Sequence, residues 1–354
     1  MKIFLSLLPA LLLILASGFT GKREAPAPAP LMKLSDYGFF VGNIADQQPA
    51  ADVIPYSLNT PLFSDYAAKL RFVRIPPGAS VNYQGEKVFD FPIGTALVKT
   101  FYYPHDFRQP DKGRTLMETR VLIREAAGWK ALPYVWNEAQ TDAVLEVAGD
   151  YRNISWKDAR GKKQKLNYAV PNMNQCKSCH NVAGEIEPIG PSARQLNGDL
   201  AYASGTENQL LHWQQRGLLR GLSGLAQAPR APVWNDPATG SLDARARIWL
   251  DINCAHCHSP EGPASTSGFF LDVHQTDPGV LGVRKSPVAA GRGSGGHAFD
   301  ILPGKPDASI LVYRLAATDP GIAMPEIGRK MVDEEGLALI REWIATMEVP
   351  RKEE

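Results

Sequence analysis

The sequence predicts a multidomain α+β protein, with an N-terminal antiparallel β-sandwich-like domain followed by mainly α-helical segments built around short cysteine motifs. Three observations lead there. Runs of β-branched and aromatic residues, broken by turn residues, fill residues 32–169. Helical apolar spacing marks 208–219, 242–252, 309–315 and 333–347. All four cysteines of the 354 residues fall in two copies of one pattern, Cys176-Lys177-Ser178-Cys179-His180 and Cys254-Ala255-His256-Cys257-His258.

The first residues read as an export signal (1–18). Lys2 supplies a positive start, Ile3 to Ala16 is an apolar run too short for a confident membrane span, and Ser17-Gly18 offers small residues for cleavage. An uncleaved anchor is the alternative reading. Alternating Ala and Pro from Glu24 to Pro30 make residues 19–31 an extended tether. An apolar fraction of 44% with 21% charged residues is that of an ordinary globular chain. The net charge of +1 gives no electrostatic case for a nucleic acid or an anionic membrane as partner.

In the β-rich region, 32–169, strands are expected at Leu70–Ile75, Ala96–Tyr103, Arg120–Arg124 and Ala143–Val147, with turns such as Pro76-Pro77-Gly78 between them. Tyr102, Tyr103, Trp129, Tyr134, Trp136 and Trp156 read as core and cross-strand partners rather than a binding face. His105, between Pro104 and Asp106, reads as a surface-loop residue. Asp65, Glu118 and Glu138 show no spacing that marks an acid/base pair, so no catalytic site is drawn from this region.

The two Cys-x-x-Cys-His motifs define the segments 170–240 and 241–349. This spacing is the attachment signature of a c-type haem: two thiols add across the haem vinyl groups, and the adjoining histidine supplies an axial imidazole. Zinc knuckles have no need of a histidine directly after each second cysteine. A thioredoxin-like redox pair would accompany a βαβ pattern, and a disulfide framework would not repeat both spacing and histidine. Two covalent haem c groups are therefore expected, held by Cys176, Cys179, Cys254 and Cys257 with His180 and His258 as iron ligands. For the first iron the sixth ligand stays open. His212, on the helix expected over 208–219, is a tentative candidate, with Met117, His105 or a vacant position as alternatives; Met173 is too close to Cys176 to cross the ring.

The helix running into Cys254, the Gly/Ser/Pro-rich loop after His258, the Met324-Pro325 turn and a final helix capped by Asp333 together resemble the cytochrome c domain. On that resemblance Met324 is the distal ligand of the second haem, preferred over Met331. A thioether in a Pro-stiffened loop is a soft ligand that suits iron in an apolar pocket. The whole layout also resembles a poorly characterised family of bacterial exported dihaem proteins, which supplies no substrate. The expected function is single-electron transfer between redox partner proteins outside the cytoplasm, with no membrane span after signal cleavage. The alternative is a peroxidase-like enzyme with one open iron.

Overall fold

The structure, a computed structural model, describes residues 29–348. The export signal, all but the end of the tether, and residue 349 lie outside the described residues.

Six strands form one antiparallel sheet. In sheet order these are β1 (Val53–Pro55), β2 (Ala68–Arg74), β4 (Ala96–Pro104), β5 (Arg114–Glu125), β6 (Gly128–Trp136) and β7 (Ala143–Leu145). The short β3 (Val81–Asn82) stands apart from it and pairs in parallel with β14 (Leu219–Arg220). A separate hairpin, β8 (Asp150–Lys157) with β9 (Lys163–Val170), completes the β-rich region.

Side chains alternate across the sheet, so it presents two apolar faces. Phe72, Val98, Val121 and Trp136 pack with Leu34, Phe39 and Phe40 of the preceding segment. On the other face Val73 and Leu97 pack with Leu196, Leu210 and Trp213 from beyond the first motif. Tyr103, Trp129, Tyr134, Trp136 and Trp156 are buried as expected, and His105 is exposed.

The expected fold class is corrected in both halves. Among the described residues no second large sheet closes a sandwich: the face opposite Phe72 is covered by α2 and α3 over Val73 and Leu97, and by the β8–β9 hairpin over Phe101 and Tyr103. Alternation shows that a face is buried but not what buries it. Nor are the motif segments mainly helical, since strand makes up 27% and helix 23% of the structure. The first segment intersperses α1 (Met173–Cys179), α2 (Ala193–Leu196) and α3 (Gln209–Gln215) with the hairpins β10 (Asn181–Val182) to β11 (Glu185–Ile186) and β12 (Asp199–Tyr202) to β13 (Gly205–Asn208). Pro188, Gly190 and Pro191 prevent any longer helix there.

In the second segment α4 (Leu242–Leu250) packs against α6 (Glu334–Thr346), and α5 (Ile310–Ala316) joins the same core through Leu311, Val312 and Leu315. Two indole bonds tie the pair near their opposite ends. Trp249 Nε1 donates to Asp333 Oδ2 at 3.2 Å, and Trp343 Nε1 donates to Asp243 Oδ1 at 2.8 Å. Asp333 also caps α6, its Oδ1 accepting the Gly336 N–H at 2.9 Å. Among the described residues no helix is long and apolar enough to cross a membrane.

Candidate haem-binding sites

The first motif is delivered by α1. Asn172 and Gln175 form a reciprocal capping box, with bonds of 2.8 and 3.0 Å, which fixes where the helix begins. Cys176 and Cys179 follow within two turns, and His180 stands at the C-cap. The second motif is delivered by α4, capped by Ser241 Oγ accepting the Ala244 N–H at 3.1 Å. Its last turn widens to a π-helical turn, Asp251–Ala255, a feature frequent at functional sites. That turn is braced from outside: Arg194 Nη2 meets Asp251 Oδ2 at 2.7 Å, and the Phe63 N–H donates to Asn253 Oδ1 at 2.8 Å.

Both motif histidines are oriented alike. His180 Nδ1 lies 2.7 Å from the Glu187 carbonyl oxygen, and His258 Nδ1 lies 3.1 Å from that of Phe269. A carbonyl can only accept, so Nδ1 carries the proton and Nε2 keeps its lone pair. That tautomer is the one a metal-ligating imidazole needs, with its second ring nitrogen anchored to the backbone. Burial pushes His180 down to about 4 and lowers His258, which keeps both rings neutral at pH 7.

The second cavity gathers the residues expected together. Cys254, Cys257, His258 and Met324 all line a space of about 610 Å³, within the range of small-molecule and cofactor pockets. The loop after His258 builds much of its wall through Pro263, Phe269, Leu271 and Pro287. The long separation of His258 from Met324 thus makes an enclosure. Met331 does not line this cavity and packs toward the β8–β9 side.

The first cavity, about 150 Å³, is a quarter of that size. Cys176, Cys179 and His180 line it, so the attachment residues of the first motif share one wall. That volume lies below the usual range of small-molecule and cofactor pockets. His212 lines neither cavity. Its Nδ1 lies 2.8 Å from Glu207 Oε1, and its ring stacks on Tyr202 at 3.6 Å, so the structure does not bring it to His180. His105, exposed just past the end of β4, and Met117, buried in a separate cluster with Tyr103, also line neither.

The two motifs meet. Cys179, Asn253, His256, Leu315, Pro325 and Ile327 line both cavities. Cys257 Sγ lies 3.9 Å from the Ser178 carbonyl oxygen. Hydrogen bonds from Cys257 and then His256 hold the Cys179 thiol well below its ordinary range, while burial pushes Cys254 up to about 12. Arg329 also lines the first cavity, yet its guanidinium donates to the carbonyls of Met324 (2.6 Å), Leu315 (3.1 Å) and Met331 (3.1 Å), and so pins the Met324 turn. Among the described residues no three His, Cys, Asp or Glu side chains cluster as round a metal ion.

Two features escaped the reading of the sequence. His256 is an unspecified position of the second motif, yet it reaches the first cavity and its Nδ1 is buried without a partner. Arg71, Lys99 and Arg120 come from three strands and line the same cavity. Their signal was cations at inward positions of otherwise apolar strands, visible only once the strands are set in register. No protein-family model, curated protein or solved structure matches the chain.

Proposed function

We propose that the chain is an exported dihaem c-type cytochrome that passes single electrons between redox partner proteins. The observation that carries this reading is the shared orientation of His180 and His258, each anchored through Nδ1 to a backbone carbonyl with Nε2 free beside its own pair of cysteines. A bound haem supplies an iron that takes up and returns one electron. Cys254 and Cys257 would hold the second group covalently, His258 and Met324 would be donors to its iron, and Phe269 and Leu271 would keep water from it. Cys176 and Cys179 would attach the first group, with His180 as one donor to its iron. The contact of Ser178 and Cys179 with Cys257 supports passage of the electron from one site to the other, because it brings the two attachment edges together.

A second reading, an enzyme with one open iron, draws on the first cavity. Among the described residues lining it there is no methionine, and His212 lies outside it. Low-temperature EPR and visible spectra of the matured protein, with and without carbon monoxide, separate the two. Two low-spin ferric signals, a Met–iron charge-transfer band and no carbon monoxide uptake are expected for electron transfer. A high-spin signal with ready uptake would establish the open iron, and absence of covalent haem would overturn both.

A further inference from the structure

The sheet face that fills one side of the first cavity carries a charge pattern that its own protein does not balance. Cross-strand partners run Arg71, Lys99 and Arg120 through β2, β4 and β5, each directly opposite the next. Like charges so placed repel. The flanking rows behave as sheet rows ordinarily do: Val73, Leu97 and Leu122 are apolar, and Lys69, Phe101 and Glu118 end in an acid. Part of the central row is compensated. Arg120 makes a bidentate pair with the fully buried Glu118 at 2.6 and 2.9 Å, and the Phe101 ring lies 4.7 Å from Lys99 Nζ and 4.4 Å from Arg120 Cζ. Arg329 spends its donors on carbonyls, and Asp333 receives the Gly336 and Trp249 N–H groups. Arg71 and Lys99 have no carboxylate partner among the described residues. Arg71 is 7% exposed, and its Nη2 is buried with no hydrogen-bond partner at all.

A buried guanidinium without a counter-ion, with the half-buried ammonium of Lys99 beside it, is costly, and the cost falls away when an anion takes the place of water beside them. The planar fork of Arg71 matches a carboxylate in shape as well as charge. We infer that Arg71 and Lys99, backed by Arg120, form a carboxylate-binding cradle in the first cavity, facing the Cys176–Cys179–His180 wall. Carboxylates reach such a cradle from two sources: the propionate arms of a haem attached at Cys176 and Cys179, or a small dissolved carboxylate. The first source rests on the proposed haem reading; the cradle itself does not.

The test uses the matured full chain and its Arg71→Gln and Lys99→Gln variants. Haem content is read by pyridine haemochrome, each haem is followed by redox titration, and formate and acetate are titrated in by calorimetry. With propionates in the cradle, both variants keep two haems and lower the potential of the first only, so its reduced-to-oxidised ratio at fixed ambient potential falls about tenfold or more, as loss of a nearby positive charge requires. The added carboxylates then bind none of the three proteins. With a dissolved carboxylate as occupant, formate or acetate binds the unmodified protein saturably and Arg71→Gln abolishes that binding. Unchanged potentials together with no carboxylate binding would overturn the cradle. The unshifted second haem reports that each variant is folded. A chain without covalent haem would sink the haem reading alone, and the calorimetry would still decide whether the cradle binds carboxylate.

Discussion

The two pentapeptides are spelled alike outside their variable positions, and their surroundings are opposite. The second opens on a roomy cavity walled by Phe269 and Leu271, which His258 and Met324 both line. The first opens on a narrow one walled by the Arg71–Lys99–Arg120 row, with no methionine among its described lining residues. On the proposed haem reading, the motif would specify attachment and one ligand, while distant residues would specify the other ligand and the electrostatic setting. A thioether donor raises a haem potential, and so does nearby positive charge; each cavity has the residues for one of these devices.

The largest expected effect breaks the pair apart. Cys254→Ala should take the haem content from two per chain to one, read by pyridine haemochrome; loss of both would mean that the first site cannot form without the second, a result the shared wall makes worth seeking. Next, Met324→His should leave the second haem attached but lower its potential and remove the charge-transfer band. An unaltered spectrum would remove Met324 from the second site and leave the comparison without its main contrast.

At the first site Glu118→Gln leaves Arg120 unpaired in the interior, facing Lys99, and also weakens the bond that Tyr168 Oη donates to Glu118 at 2.6 Å. Stability should fall by about 3–5 kcal/mol in denaturant titrations, as for other broken buried pairs. On the proposed haem reading, Cys176→Ala with Cys179→Ala removes the first haem and any carboxylate it would bring to the cation row. Lys69 beside it is pushed down to about 7, first by burial and then by Arg71 and Arg120. Folded chains then bind fewer protons than unfolded ones between pH 7 and 10.5, so stability should climb with pH across that window, and adding Lys69→Met should flatten the climb. The smallest effect is that of His212→Ala. It should cost about 1–2 kcal/mol for the lost stack and hydrogen bond and leave both haem spectra untouched; a shifted first-haem spectrum would return His212 to the list of ligands.

How much of this was legible beforehand follows the range of the interactions involved. The helices leading into Cys254 and out of Asp333 were readable because capping and apolar spacing act over one or two turns; the expectation for Met324 came from a resemblance in element order, and the structure places it on the wall of the second cavity. The covering of the sheet was not readable, because Leu196, Leu210 and Trp213 meet Val73 and Leu97 only after folding. His212 has the residue type and helical setting of a ligand, but its imidazole is committed to Glu207 and Tyr202, a fact held in a hairpin whose strands carry no strong strand signal. The cation row was hidden for the same reason: Lys99 and Arg120 are ordinary until the register sets them side by side.

Arg329 joins the two sites through a single side chain. One end of its neighbourhood is the wall of the first cavity, and the other is the turn that carries Met324. An occupant of the narrow cavity would therefore touch the same guanidinium that donates to the Met324 carbonyl at the wide one. A substitution at Arg329 would be felt on both sides of the shared wall.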